Sequence, residues 1–331
     1  MNPAPLSATL EVSREQPRYR ADKRRLSLRL WTLLTGFPAK ARYVVRVPLL
    51  AGFRKLVIAR REVQRSLADL NLGSLEPSAS DFLTPRDVPS VAETDLHDRV
   101  LARIDQDGFA FAVDSRDQSL FPGRDRELPR KRYGIDIVLR GGMVCVRKRF
   151  GQQSIGKTGL RNWWWNHLGL PFYTEVASLL RLRNCPGVPA VREIDLRSRT
   201  IYMSYIRGMS LRHHVAMTSA GVHDLEIQDH PELRRLSSEA LNERERALFN
   251  RCFGSAQKHA IKELIHAINE RGVLVLDTKL GNVIIGDHSK SPYWIDFERA
   301  HLKTFPGWDK KLREQYFLLN RSFDLGYDLS E

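Results

Sequence analysis

Residues 273–298 read Val-Leu-Val-Leu-Asp-Thr-Lys-Leu-Gly-Asn-Val-Ile-Ile-Gly-Asp-His-Ser-Lys-Ser-Pro-Tyr-Trp-Ile-Asp-Phe-Glu. Short apolar runs, typical of buried strands, alternate here with polar residues at fixed spacings. Asp277 and Asn282 are five residues apart with Lys279 between them. A segment the size of a hairpin then leads to Asp296 at the end of another apolar run. The pattern predicts that two carboxylates, an amide and a lysine come together.

Phosphoryl transfer from ATP requires this combination of side chains. One carboxylate orients the attacking hydroxyl group, and an asparagine with a second carboxylate holds Mg²⁺ on the phosphates. We therefore interpret Asp277 and Lys279 as catalytic residues and Asn282 and Asp296 as metal ligands. The alternative is a structural hairpin whose polar side chains only cap its turns.

The Asp-x-Lys-x-x-Asn spacing, followed by Ile-Asp-Phe, resembles the catalytic and metal-binding loops of the protein-kinase-like superfamily. The chain departs from the family at two positions. Val275 stands where the family usually has a His or Tyr that supports the loop, and Glu298 replaces a glycine. An acidic residue at the second position is typical of aminoglycoside and choline phosphotransferases and of the kinases that phosphorylate lipopolysaccharide core sugars.

The resemblance implies an α+β, two-lobed fold with an antiparallel-sheet N-lobe and a small, mainly helical C-lobe. Because only 33 residues follow Glu298, the chain is similar to the compact members, the lipopolysaccharide core sugar kinases and the RIO-type kinases. We predict a basic, partly helical extension and linker over residues 1–92. The N-lobe is expected over 93–205 and the C-lobe over 206–331.

Two hairpins are predicted in the N-lobe, with turns at residues 105–108 and 140–142. Alternation along the strand after the second turn places Lys148 on the same face as Val144 and Val146. Lys148 resembles the family's phosphate-holding lysine, and its alternative is a solvent-facing residue of an edge strand. Glu175, on a helix predicted over 172–184, is the expected partner of this lysine, with Glu193 and Asp195 as weaker choices.

Two further strands are predicted between residues 188 and 205, with a turn at 197–199. Residues 203–211 resemble the hinge between kinase lobes, where backbone groups of Met203 and Tyr205 would bond adenine. A long helix is predicted over 242–271, ended by Gly272, and another around 308–320.

Two more motifs lie between the predicted lysine strand and its partner helix. Residues 151–158 fit the Walker A expression, but no convincing helix follows. We interpret the match as accidental and keep Lys157 as a candidate phosphate contact. Trp163–Trp165 are predicted either to pack between the lobes or to contact a sugar or a membrane interface.

The net charge of +14 is concentrated at the N-terminus, because residues 1–66 hold 15 basic and four acidic residues. This segment is predicted to contact an anionic surface. A helix predicted over 48–70 carries an apolar stripe that either packs on the protein or lies in a membrane interface. The three cysteines show no C-x-x-C spacing, which fits a reducing cytosol. The sequence shows no signal peptide and no run of 18 apolar residues.

These patterns predict an ATP- and Mg²⁺-dependent phosphotransferase. The resemblance to the core sugar kinases implies that its acceptor is a sugar hydroxyl of lipopolysaccharide or another anionic glycolipid. The expected setting is the bacterial cytoplasm, with peripheral contact to the cytoplasmic face of the inner membrane through residues 20–66. One alternative is a RIO-like protein kinase with a nucleic-acid-associated partner. Another is a non-catalytic nucleotide-binding scaffold, which Val275 suggests.

Overall fold

The structure is a computed structural model that describes residues 39–68, 99–104, 110–112, 134–140, 143–150, 168–218 and 251–329, with positions 243, 246, 247, 249 and 250. The chain separates into two compact units, Met1–Leu75 and Glu76–Glu331. The Walker A match at 151–158, with Lys157, and Trp163–Trp165 lie outside the described residues.

Helix α1 of the first unit spans Ala39–Ala68. It begins nine residues before the predicted start, and the prediction that Pro48 opens the helix is wrong. A proline removes one main-chain donor, but alanine, lysine and arginine before Pro48 and leucine, alanine and arginine after it favour helix.

Two opposite faces of α1 differ in exposure. Leu56, Ala59 and Val63 are buried, so this part of the apolar stripe is covered by the chain itself. At 3.6 residues per turn the opposite face carries Arg54, Arg61 and Arg65. These three arginines are exposed. None of the helices among the described residues is both long and apolar enough to cross a membrane.

The second unit contains a six-stranded sheet in the order β2-β1-β3-β4-β6-β5, and every neighbouring pair is antiparallel. Both predicted hairpins are confirmed, as β1 pairs with β2 and β3 pairs with β4. The predicted pair that turns near residues 197–199 is confirmed as β5 and β6. The strands are β1 Arg99–Ile104, β2 Ala110–Ala112, β3 Gly134–Arg140, β4 Met143–Arg149, β5 Val191–Asp195 and β6 Thr200–Ser204.

Apolar side chains cover both faces of this sheet at β3 and β4. Leu101, Ile137 and Val144 belong to one buried cluster. Val138 and Cys145 belong to another. Because consecutive strand residues point to opposite faces, two clusters on alternating positions mean that the strands are buried on both sides. Polar groups in the middle of these strands are therefore shielded from water.

Helix α2 spans Leu170–Arg181 and follows Gly169, whose φ of 82° is in the left-handed region that favours glycine. Pro171 lies in its first turn, a position that needs no main-chain donor. The helix ends three residues before the predicted end. It contacts β5 and also β11, a short strand near the C-terminus.

After β6 the chain passes through residues 205–207 into a separate three-stranded sheet in the order β10-β9-β7. A third, two-stranded sheet pairs β8 with β11. The remaining elements of this region are β7 Gly208–Ser210, helix α3 Leu211–Thr218, β8 Val273–Leu274, β9 Val283–Gly286, β10 Pro292–Trp294 and β11 His301–Leu302.

The long helix predicted over 242–271 is interrupted, which corrects the prediction. Helix α4 spans only Ser255–Glu270, and Gly254 precedes it in an extended conformation. Glycine has a low helix propensity and adopts non-helical backbone conformations without steric strain, so a helix is readily interrupted at this residue. Gly272 does end the helix as predicted, with a φ of 74°. Helix α5, Trp308–Phe323, confirms the last predicted helix and extends it by three residues.

The described part of the second unit is therefore α+β, with antiparallel sheets and several helices. Helix α4 packs beside β8 and β10, and α5 packs beside β8 and β11. Both helices therefore pack against strands of the segment 273–298 or directly after it.

Candidate functional site

Lys148 lies near the end of β4, and its side chain is buried. Its ammonium group is 2.7 Å from Glu175 Oε2, 3.1 Å from Asp296 Oδ1 and 3.0 Å from Glu298 Oε1. The edge-strand alternative is therefore wrong, because β4 is an internal strand between β3 and β6. Three carboxylates converge on this one cation.

Glu175 comes from α2 and is completely buried. Only one of its oxygens is bonded to Lys148, and Oε1 has no hydrogen-bond partner among the described residues. The two weaker candidates have other partners. Glu193 pairs with Arg140. Asp195 accepts bonds from the backbone of the turn at Arg197 and Ser198.

Asp296 and Glu298 follow β10 on alternate positions, with buried Phe297 between them. Both carboxylates contact Lys148, so they lie on one side of this segment. Buried Trp294 anchors the segment, since its indole N–H donates to the Asp296 carbonyl at 3.1 Å. Asp296 Oδ1 also accepts the backbone N–H of Glu298 at 3.1 Å.

Burial and the neighbouring charges shift the pKa values of Lys148 and Glu175. Burial disfavours the charged form of Lys148, but Asp296, Glu175 and Glu298 outweigh burial and hold the pKa of Lys148 well above its usual value. Burial raises the pKa of Glu175 to about 8, although the charge of Lys148 opposes the rise.

Lys148 acts to lower the pKa of both other carboxylates, but their overall pKa shifts have opposite directions. Burial acts to raise the pKa of Asp296, but Lys148 and the Glu298 N–H outweigh it and lower that pKa. The pKa of Glu298 is raised, mainly by burial and also by the charges of Asp296 and Asp277. Three carboxylates facing one ammonium therefore retain a demand for further positive charge.

Asp277 lies on the loop between β8 and β9, and its side chain is 14% exposed. Asn282 Nδ2 donates to the Asp277 carbonyl at 2.8 Å, so the two ends of the loop are tied together. Lys279 Nζ is 3.0 Å from Asp277 Oδ2. Arg299 lies 4.0 Å from the other carboxylate oxygen, and both cations are largely exposed.

The loop and the lysine cluster lie within electrostatic reach of each other. The Ile295 N–H donates to the Asn282 carbonyl at 3.0 Å, which joins the loop to the segment that carries Asp296. Among smaller contributions, Lys279 helps to lower the pKa of Asp296. All six predicted catalytic, metal-binding and ion-pair residues thus belong to one region: Lys148, Glu175, Asp277, Lys279, Asn282 and Asp296.

Helix α5 supports the Asp277 loop through a residue that the sequence analysis missed. Gln315 is completely buried and accepts the Val275 N–H at 2.6 Å. It also donates to Asn269 Oδ1 on α4 at 3.1 Å. On the other side of Asp277, Thr278 Oγ1 lies 3.0 Å from Ser322 Oγ. No local spacing indicated Gln315, because it lies 40 residues after Val275.

The predicted hinge residues lie where the chain leaves the six-stranded sheet and continues toward the three-stranded sheet. Met203 is a buried residue of β6 and pairs in register with Val146 and Val191. Tyr205 packs against the cluster that contains Leu101, and burial raises its pKa to about 12. Both positions therefore lie on the sheet that also carries Lys148 or directly beside it.

No protein-family model matches this sequence, and a comparison with curated proteins gives no significant match.

Proposed function

We propose that the chain is an ATP- and Mg²⁺-dependent phosphotransferase that uses an alcohol hydroxyl as its acceptor. The observation that carries the proposal is the convergence of Lys148, Glu175 and Asp296 beside the loop that holds Asp277 and Asn282. We further propose a two-lobed, protein-kinase-like arrangement. In it the six-stranded sheet forms the N-lobe, and the elements after residue 206 form the C-lobe.

The donor atoms fit a magnesium ion. Mg²⁺ takes oxygen ligands and few protein side chains, and Asp296 and Asn282 offer a carboxylate and an amide oxygen. The excess of carboxylates around Lys148 adds the negative potential that a divalent cation requires. Bound there, Mg²⁺ would neutralise charge on the nucleotide phosphates.

Each residue of the site then has a role. Asp277 accepts a hydrogen bond from the acceptor hydroxyl, orients it and takes its proton. Lys148 binds the nucleotide phosphates, and Glu175 holds the ammonium in place. Lys279 stabilises charge on the transferring phosphoryl group. Backbone groups of Tyr205, just after β6, bind the adenine. Met203 is excluded from this role, because strands on both sides pair with its backbone.

For the acceptor we propose a sugar hydroxyl of lipopolysaccharide core or another anionic glycolipid. The acidic residue at Glu298 favours the sugar-kinase branch of the resemblance. The exposed arginines of α1 support contact with an anionic surface. The proposed location is the cytoplasmic face of the bacterial inner membrane.

The test is phosphate transfer from labelled ATP to lipopolysaccharide core acceptors, with Asp277→Asn and Asp296→Asn variants. We expect each substitution to reduce transfer by about a thousandfold or more. Asp287→Asn is the matched control, because Asp287 is exposed and pairs only loosely with Arg207. Transfer that survives in Asp277→Asn would overturn the role of this residue. Stabilisation of the wild type by Mg²⁺-ATP without any transfer would indicate the scaffold alternative.

A further inference from the structure

The ammonium of Lys148 occupies the centre of a carboxylate cluster. One oxygen each from Glu175, Asp296 and Glu298 lies within 4.8 Å of the other two. Lys148 contacts all three residues at 2.7–3.1 Å. Spacings of this size allow three carboxylates to bind one small cation without a large rearrangement.

A second observation shows that Lys148 does not bond every carboxylate oxygen of the cluster. Glu175 is completely buried, yet its Oε1 atom has no hydrogen-bond partner among the residues that the structure describes. A buried carboxylate oxygen without a partner is costly. The ammonium also supplies one positive charge to three carboxyl groups, whereas a divalent ion supplies two.

We infer that Glu175, Asp296 and Glu298 form a divalent-cation site that needs no nucleotide, and that Lys148 competes with the cation for it. The all-carboxylate donor set selects a hard ion such as Mg²⁺ or Mn²⁺. The site shares Glu175, Asp296 and the competing Lys148 with the proposed function, but binding at it does not depend on ATP. When the cation binds, Lys148 leaves Asp296 and Glu298 and its ammonium becomes free to bind an anion.

The competition predicts that removing the charge of Lys148 changes the affinity for Mn²⁺ in the absence of nucleotide. Titration calorimetry measures this affinity. Removing a neighbouring positive charge strengthens cation binding. We expect Lys148→Met to bind Mn²⁺ about tenfold or more tightly than the wild type. Lys258→Met is the matched control, because Lys258 pairs with Asp324 on the surface. We expect it to bind Mn²⁺ as the wild type does.

A second variant keeps the test independent of the folding of Lys148→Met. Glu298 is partly exposed, so Glu298→Gln should fold, and we expect it to weaken Mn²⁺ binding about tenfold. If Lys148→Met unfolds without metal, we expect Mn²⁺ to restore its fold, because the ion replaces the missing positive charge. Unchanged Mn²⁺ binding in Glu298→Gln overturns the inference, as does equal or weaker binding in a folded Lys148→Met.

The two proposals fail in different ways. A wild type that never transfers phosphate but shows the Lys148–Mn²⁺ competition would overturn only the proposed function. Transfer that depends on Asp277, without any such competition, would overturn only the cation site.

Discussion

Glu175 is completely buried, and only one of its carboxyl oxygens is hydrogen-bonded within the described part of the chain. Its pKa therefore differs between the folded and the unfolded chain, which makes stability depend on pH. Its pKa is about 8 in the folded chain and near 4.5 in the unfolded chain. Between these values the unfolded chain releases a proton that the folded chain keeps. The stabilising contribution is therefore fully present below about pH 4.5 and is lost as the pH rises through about 8.

We predict that metal-free wild-type protein loses stability relative to Glu175→Gln as the pH rises from about 5 to 8. The slope should reach at most about 1.4 kcal/mol per pH unit, the value for one proton. Urea denaturation of both proteins in a chelator measures it. Glu193→Gln provides the control, because Glu193 is partly exposed and paired with Arg140. Parallel curves for wild type and Glu175→Gln would contradict the prediction.

Gln315 touches no expected substrate, but it holds the backbone two residues before Asp277. Gln315→Met keeps the approximate volume and leaves the Val275 N–H and Asn269 Oδ1 without their partner. We predict a fall in kcat of about tenfold to a hundredfold, because Asp277 loses its fixed position while Mg²⁺-ATP binding persists. Steady-state kinetics with both substrates separates kcat from KM.

Two further variants separate positioning from general destabilisation. In an Asp277→Asn background, Gln315→Met should cause almost no additional loss, since there is no base left to position. Gln315→Glu should recover part of the activity, because a carboxylate accepts the Val275 N–H and a turned Asn269 amide can donate to it. Additive losses in the double variant would indicate a purely structural role.

The motif residues could be predicted because the spacings that define them are local. Asp277, Lys279 and Asn282 lie within six consecutive positions, and Glu175 was indicated by a recognisable helix start. Gln315 and Arg299 were missed because they lie far along the chain from the loop residues that they contact. Their contacts to the loop depend on how α5 and the segment after Glu298 fold back, and no sequence period encodes that.

At the scale of elements, turn residues and alternation were more informative than long helical periods. The three hairpins of the six-stranded sheet follow from strand alternation around polar turns. The helix before Gly272 was overextended because apolar residues continue at helical spacing across Gly254. The helical period of apolar residues does not indicate where a glycine interrupts the helix. Ala256, which continues this apolar spacing after Gly254, is exposed.

The passage between the two larger sheets depends on close contact at Gly208. A Cβ atom there would lie 2.2 Å from the Ile285 carbonyl oxygen and 2.9 Å from Ile284 Cγ2. Strand β7 therefore cannot keep its pairing with β9 if this residue carries a side chain. We predict that Gly208→Ala lowers the free energy of unfolding by about 1–3 kcal/mol. Urea denaturation gives the value.

Gly254→Ala is the matched control for Gly208→Ala. The nearest atom to its Cβ would be Gln257 Oε1 at 3.6 Å, an ordinary contact. We expect a change in the free energy of unfolding within about 0.5 kcal/mol. Equal effects of the two substitutions would mean that crowding at the β7–β9 contact does not govern stability.

At the scale of the whole molecule, charge is divided between the two units. Residues 39–68 alone hold eight basic residues and one acidic residue. Arg54, Arg61 and Arg65 are exposed on the face of α1 opposite buried Leu56 and Val63. The buried face is occupied by packing, so the basic face is the part of α1 that can bind an anionic partner.

We predict that changing Arg54, Arg61 and Arg65 together to glutamine weakens binding to vesicles rich in anionic phospholipid by about tenfold to a hundredfold. Each basic residue near such a surface contributes about 1 kcal/mol, and salt screens part of it. Vesicle sedimentation at two salt concentrations measures the change. Phosphate transfer to a soluble acceptor should stay unchanged, because these arginines lie in the first unit and the site lies in the second.

A matched triple variant, with Lys290, Lys310 and Arg313 changed to glutamine, removes the same charge from exposed positions of the second unit. It should bind the vesicles nearly as the wild type does, because the proposed contact is made by the basic face of α1. Equal losses in the two triple variants would mean that net charge, not the α1 face, drives binding. Weak vesicle binding combined with salt-sensitive RNA binding through the same three arginines would instead favour the nucleic-acid-associated alternative.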